Sequence, residues 1–322
     1  MRWFIFIFVL VFISCKEEKA ETIVDIPEPN VVKTGWGLSV LGVAQDAGYP
    51  QAGCDKECCR RAVRNGLTVF PTSLAIINHD SGKFWLIEAT PDIKYQLNMA
   101  NDELESEDIL MPEKIFITHA HIGHYAGLMH FGKEVMGSKN QAISCMPKMA
   151  AFLSSNGPWN QLLESSNIVL DTLENGRRDS VFLGFNVTPM LVPHRDEYSE
   201  TVGFLFEVDN TSIVFIPDID KWEKWPVKLD SLLRVVDIAF IDGTFYNGSE
   251  LPERNLEEIP HPFVFETMAQ LDSLDEGLKR KVHFIHFNHT NPLIQDHAIR
   301  REVEDNGYKV TKQGDYFSLG RN

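Results

Sequence analysis

The run Lys114-Ile-Phe-Ile-Thr-His-Ala-His-Ile-Gly-His124 ends an apolar, β-branched stretch in three histidines, His119, His121 and His124. Neutral imidazole is the commonest protein ligand for zinc-like metals, and three rings this close can surround one ion or divide between two neighbouring ones. A buried strand that delivers polar side chains from its carboxyl end is where α/β sheets keep their chemistry. The first reading of this stretch is metal binding.

Other apolar runs end the same way. Phe185 to His194 closes on a histidine, Ser212 to Asp218 and Val236 to Asp242 close on carboxylates, and Lys281 to His286 is followed by His289. Repeated termination on His or Asp predicts strand ends that converge on one polar rim. His79, beside the turn Asp80-Ser-Gly82, and His130 read instead as structural or solvated. The Gly/Pro loop from Gln45 to Cys59 carries Cys54, Cys58 and Cys59. Three thiolates so close suit one metal with a fourth ligand from elsewhere, with a disulfide as the alternative. Adjacent Cys58 and Cys59 are poorly placed to bridge each other. Cys145, in an apolar run, reads as a buried small hydrophobe.

These residues need elements to position them. A first strand is expected over 37–44, a hairpin over Ser73 to Ala89, a helix from Asp92 to Ala100, and helices over 147–153 and 159–163. The chain has 322 residues, 43% of them hydrophobic, which is ordinary globular composition for one large domain or two fused halves. With 46 acidic against 30 basic residues the net charge is −16. That disfavours nucleic acid as a partner and leaves open a small anionic substrate held by metal.

Met1-Arg2 and the apolar run Trp3 to Ile13 fit a signal-peptide h-region, too short to span a bilayer comfortably. Phe12-Ile-Ser-Cys15 resembles the lipobox of bacterial lipoproteins, which implies cleavage before Cys15 and lipid on its sulfur. The expected organisation is a signal peptide over 1–14, a lipidated tether over 15–34 with Pro27 and Pro29, and one catalytic domain over 35–322. Such a protein would sit in the cell envelope, held to the membrane by its lipid; the sequence leaves its oligomeric state open.

Taken together, the Cys loop, Thr118-His-Ala-His-Ile-Gly-His124, His194, Ile216-Pro-Asp218, Asp242-Gly-Thr and His286-Phe-Asn-His-Thr-Asn-Pro292 resemble the metallo-β-lactamase fold superfamily. The resemblance is to the branch containing the pyrroloquinoline quinone biosynthesis protein B and the phosphonate-pathway cyclic phosphodiesterase, and it spans roughly residues 37 to 320. It implies an α/β fold, a four-layer αββα sandwich of mixed sheets with the metals at one edge. It also implies His119, His121 and His194 on a first ion, and His124, Asp218 and His286 on a second, with Asp218 bridging. A structural zinc would lie on Cys54, Cys58, Cys59 and His289, although this cysteine spacing departs from the family's Cys-x-Cys-x-x-Cys. His261, in Ile259-Pro-His-Pro262, resembles a family histidine near the substrate.

The most informative departure from the family pattern is at residue 123. The superfamily has His-x-His-x-Asp-His, and this chain has Gly123 where the Asp should be. Glycine supplies no ligand, so the second ion is either weakly held or completed by another carboxylate. Asp46 and Asp242 are the acids to consider. The leading expectation is a zinc-dependent hydrolase acting on a small ester, amide or phosphodiester, with one or two catalytic ions and one structural ion. Iron or manganese is the other metal choice. An iron-dependent oxygenase and a non-catalytic surface-binding lipoprotein are the competing functions.

Overall fold

The alternation of β-branched and aromatic runs with glycine turns produces two mixed seven-stranded sheets in the computed structural model. It describes residues 33–252 and 254–320. The first half of the chain forms β1 (Trp36–Gly42), β2 (Ser73–Asn78), β3 (Lys83–Ile87), β4 (Ile115–Phe116), β5 (Gln141–Cys145) and β6 (Ile168–Thr172). The second forms β7 (Asp179–Phe182), β8 (Phe185–Leu191), β9 (Val202–Val208), β10 (Thr211–Ile216), β11 (Ile238–Asp242), β12 (Val282–Ile285) and β13 (Lys309–Val310), after which β14 (Tyr316–Leu319) returns to the first sheet. The orders are β14-β1-β2-β3-β4-β5-β6 and β13-β12-β11-β10-β9-β8-β7.

Each sheet is antiparallel on one side and parallel on the other. Pairing turns parallel at β3/β4 in the first sheet and at β10/β11 in the second. Parallel strands point their carboxyl ends the same way, so the loops after β4, β10, β11 and β12 leave from one edge. That edge carries the histidines and aspartates.

Both faces of the first sheet are buried, which is the physical content of four layers. Along β2, Leu74 and Ile76 enter the core shared with the second sheet, while Ala75 and Ile77 enter a separate core under the helices. Phe116 of β4 meets Phe204 at 5.8 Å and Phe206 at 5.6 Å across the sandwich. Helices Ile93–Glu103, Pro147–Ser155 and Trp159–Glu164 cover the outside of the first sheet through Leu97, Met149, Leu153 and Trp159. On the second sheet, Leu229, Leu233, Val264 and Val303 from three helices do the same.

The histidine-bearing strand is shorter than its sequence suggests, two residues of regular pairing at Ile115–Phe116, because the chain leaves the sheet early to form the ligand loop. Cys145 is fully buried, as its surroundings predict. Both sheets lie in the unit that begins at Thr34. The expected signal peptide, Cys15 and nearly all of the expected tether lie outside the described residues. Among the described residues no helix is long and apolar enough to cross a membrane.

Candidate metal centre

The loop after β4 places His119 and His121 before a one-turn helix, Ile122–Tyr125, that carries His124. It is pinned from the segment after β8: the Ser199 hydroxyl accepts from the Ala120 amide at 2.8 Å, and the Val202 amide donates to the Thr118 carbonyl at 3.2 Å. His194 follows β8, and Asp218 follows β10. One oxygen of Asp218, Oδ2, lies 3.2 Å from His194 Nε2, 3.4 Å from His119 Nε2 and 3.8 Å from His121 Nδ1. These four residues form one group with metal-ligating spacing.

The second group is Asp46, His124 and His286. His124 Nε2 is 3.5 Å from Asp46 Oδ1 and 4.0 Å from the same Asp218 Oδ2. Asp46 comes from the turn after β1, and its position explains Gly123. A Cβ on residue 123 would stand 2.3 Å from the Asp46 Cα and 2.4 Å from its Oδ1. The space that a side chain at 123 would take is filled by Asp46, so a carboxylate does reach this group, from another loop. Asp242 does not join it, and sits instead with Asp218 and His261.

Residues that the sequence reading overlooked hold the ligands from behind. Glu88, fully buried after β3 with a left-handed φ of 72°, accepts from the Thr118 hydroxyl at 2.5 Å. That hydroxyl is also 2.9 Å from His119 Nδ1, and the same Glu88 oxygen is 3.2 Å from His124 Nδ1. Thr244 Oγ1 is 3.0 Å from His286 Nδ1, Asp220 Oδ1 is 3.5 Å from His194 Nδ1, and Glu197 Oε2 is 3.5 Å from His121 Nε2. A carboxylate or hydroxyl behind an imidazole fixes which nitrogen faces the metal. Glu88 was detectable only as a strand-end acid of the same kind as Asp218 and Asp242.

Burial pushes His119 and His286 well below the ordinary imidazole range, so both are neutral, the ligating form. Burial works against charge on His124 and His261 too. Glu88 around the first, and Asp242 with Asp218 around the second, outweigh it and lift each ring to about 9. Burial would likewise raise Asp218, but His261 and His194 hold it well below the usual carboxylate range. Four carboxylates, Asp46, Glu88, Asp218 and Asp242, thus crowd the His124 and His261 rings, a charge that bound cations would offset.

The donors fit metal ions. His119 Nε2, His124 Nε2, His286 Nε2 and Asp46 Oδ1 are buried with no hydrogen-bond partner. Each such atom would cost about 1–3 kcal/mol if nothing satisfied it. A nitrogen and oxygen donor set suits zinc, iron or manganese.

His261 stands beside both groups. Its Nδ1 is 2.8 Å from Asp242 Oδ2 and 3.2 Å from Asp218 Oδ1. The loop cysteines gather separately: Cys54, Cys59 and His289 form a third group. Cys58 is not in it. Cys58 and Cys59 are neighbours on helix Glu57–Asn65, and consecutive helical residues point about 100° apart, so one ion cannot easily face both. Cys54, Cys58 and Cys59 are free thiols, so the disulfide alternative is not realised.

Comparison with known proteins agrees with this architecture. The family model described as "Beta-lactamase superfamily domain" matches residues 85–287. The coenzyme PQQ synthesis protein B of Rhizobium meliloti is 25% identical over 303 residues, covering 86% of this chain and 96% of its own. The Klebsiella pneumoniae protein of the same name is 26% identical over 318 residues, covering 88% and 98%. Among solved structures, zinc-bound PqqB from Methylobacterium extorquens superposes with a TM-score of 0.73 at 20% identity, over 88% of this chain and 100% of that one. A diphosphatase of the PhnP family gives 0.60 at 19% identity, over 88% and 96%.

Proposed function

Because the chain belongs to the metallo-β-lactamase superfamily, we propose that it is a metal-dependent hydrolase with two catalytic ions, acting on an ester or phosphodiester of small size. The observation that carries this reading is the Asp218 carboxylate, whose Oδ2 lies within 4.0 Å of imidazole nitrogens from both ligand groups. A shared anion offsets the repulsion between two cations held close together. His119, His121 and His194 would hold the first ion, Asp46, His124 and His286 the second, and Asp218 both. Bound zinc-class ions supply Lewis acidity and bring the pKa of a coordinated water near neutrality.

The chain's own groups supply the rest. Asp242 and Asp218 hold His261 through Nδ1, which leaves Nε2 as the ring nitrogen available to a substrate. Asp242 and Asp218 beside His261 favour its protonated form, from which it would give a proton to the leaving oxygen. The test is hydrolysis of an activated diester or ester by protein carrying its metals. Activity disappears on chelation and in His119→Ala; an unchanged rate after chelation overturns the proposal.

Single-iron redox chemistry is the second reading, the one that the sequence resemblance to the pyrroloquinoline quinone branch implies. The five-histidine donor set favours zinc over iron, and the iron content of protein purified without added metal separates the two. An envelope location through Cys15 rests on the sequence of residues 1–34 alone.

A further inference from the structure

We propose that an ion on Cys54, Cys59 and His289 holds the Asp46 arm in place, so that loading the cysteine group and loading the second catalytic position reinforce each other. This rests on the reading above that Asp46 ligates the second ion.

Two short segments carry both groups. Residues 43–59 supply Asp46, Cys54 and Cys59; residues 286–289 supply His286 and His289. The segments are already stitched together at one end. The Phe287 amide donates to the Val43 carbonyl at 2.7 Å, the Gln45 amide to the Phe287 carbonyl at 2.8 Å, and the Asn288 side chain to Gln45 Oε1 at 2.6 Å. An ion on the cysteines and His289 closes the other end, turning two tethered loops into a closed frame. Asp46 sits inside that frame, on a turn closed by the Gly48 amide donating to the Gln45 carbonyl at 2.9 Å.

The backbone on either side of Asp46 is also tied to residues 69–72, through the Val43 and Ala44 amides to the Phe70 carbonyl and the Tyr49–Val69 pair, but its carboxylate is held by little else. Its Oδ1 is buried with no hydrogen-bond partner, and its side chain is 31% exposed. A carboxylate at residue 123 would ride on the same one-turn helix as His124, and the second position would then owe nothing to the cysteines. Gly123 removes that option, and the ligand that replaces it comes from the cysteine loop. The departure from the family motif thus makes one metal position depend on another. Supporting contacts of this kind change metal affinity by about 10–100-fold, and the coupling is reciprocal by thermodynamic necessity.

The experiment uses the soluble chain beginning after Cys15, stripped and reloaded with cobalt. Thiolate-to-cobalt absorption reports the cysteine group, elemental analysis gives ions per chain, and competition with a chromophoric chelator gives the affinity of the second catalytic position. Wild type binds about three ions. Cys59→Ala loses the thiolate band, keeps the ion on His119, His121 and His194, and binds the second catalytic ion at least about tenfold more weakly. His289→Asn removes the same ion while sparing both thiols, and serves if Cys59→Ala does not fold; retention of the first ion certifies the fold in either. Unchanged affinity for the second ion in these variants overturns the coupling, the backbone ties alone then being sufficient, and leaves the two-ion hydrolase standing. Three ions held with unchanged affinity in Asp46→Asn would overturn the ligand assignment and the coupling with it.

Discussion

The first ligand group takes His119 and His121 from one loop and His194 and Asp218 from the ends of β8 and β10, all residue types that the family motif prescribes. The second takes His124 from that same loop and His286 from the end of β12, but its carboxylate is Asp46, from the turn after β1. One group follows the motif; the other completes its set of donor atoms with a carboxylate from another loop. A metal site is conserved as a set of donor atoms in space, and the backbone position that supplies each donor is free to change where another chain segment comes close enough.

The largest effect that separates the two groups is expected from Asp46→Asn. It removes the second catalytic ion, leaves the first, and lowers diester hydrolysis by at least about 100-fold, read by elemental analysis beside the rate. Retention of both ions would return Asp46 to a simple turn residue. Next comes Gly123→Ala. Its Cβ would fall 2.3 Å from the Asp46 backbone, so the turn must move, at an overpacking cost of about 1–3 kcal/mol in denaturant unfolding and with loss of the second ion. For the same reason Gly123→Asp is expected to lower the ion count, since its side chain would enter space that Asp46 already fills.

Glu88→Gln tests what the two groups share. Glu88 touches Thr118, which orients His119 of the first group, and lies beside His124 of the second. Metal affinity at both should fall by about 10–100-fold in chelator competition. Weakening at one group alone would mean that Glu88 serves only that half. The smallest effect separates acid loss of the fold from acid loss of metal. Burial, with Lys309 nearby, pushes His283 down to about 4, and its ring packs against Phe240 and Phe317. The unfolded chain takes up this proton near pH 6.5 and the fold resists until about 4. The unfolded state therefore binds more protons in this window, so stability present above pH 6.5 declines as pH falls towards 4, by roughly 3 kcal/mol at most. His283→Leu should flatten the dependence of Tm on pH there, measured on metal-free protein; an unchanged slope would assign the acid sensitivity to other groups.

Much of the site could be read from the chain. The strands that end on His194, Asp218, Asp242 and His286 form as expected, and the edge where they converge follows from parallel pairing at β3/β4 and β10/β11. Other parts could not. Cys58 reads as a third thiolate because sequence distance alone ignores the turn of helix Glu57–Asn65, which separates it from Cys59. Glu88 resembles any strand-end acid until its contacts with Thr118 and His124 are known.

The sequence by itself determined which donor atoms the chain carries at its strand ends. Imidazoles, carboxylates and thiols are ligands by virtue of their own atoms, and periodic apolar runs place them at strand ends whatever else the fold does. Only the tertiary structure decided which carboxylate stands beside His124 and His286. That choice depends on how closely the turn after β1 approaches the helix of His124, a distance set by the packing of segments far apart in the chain. No local pattern around Gly123 or Asp46 encodes it.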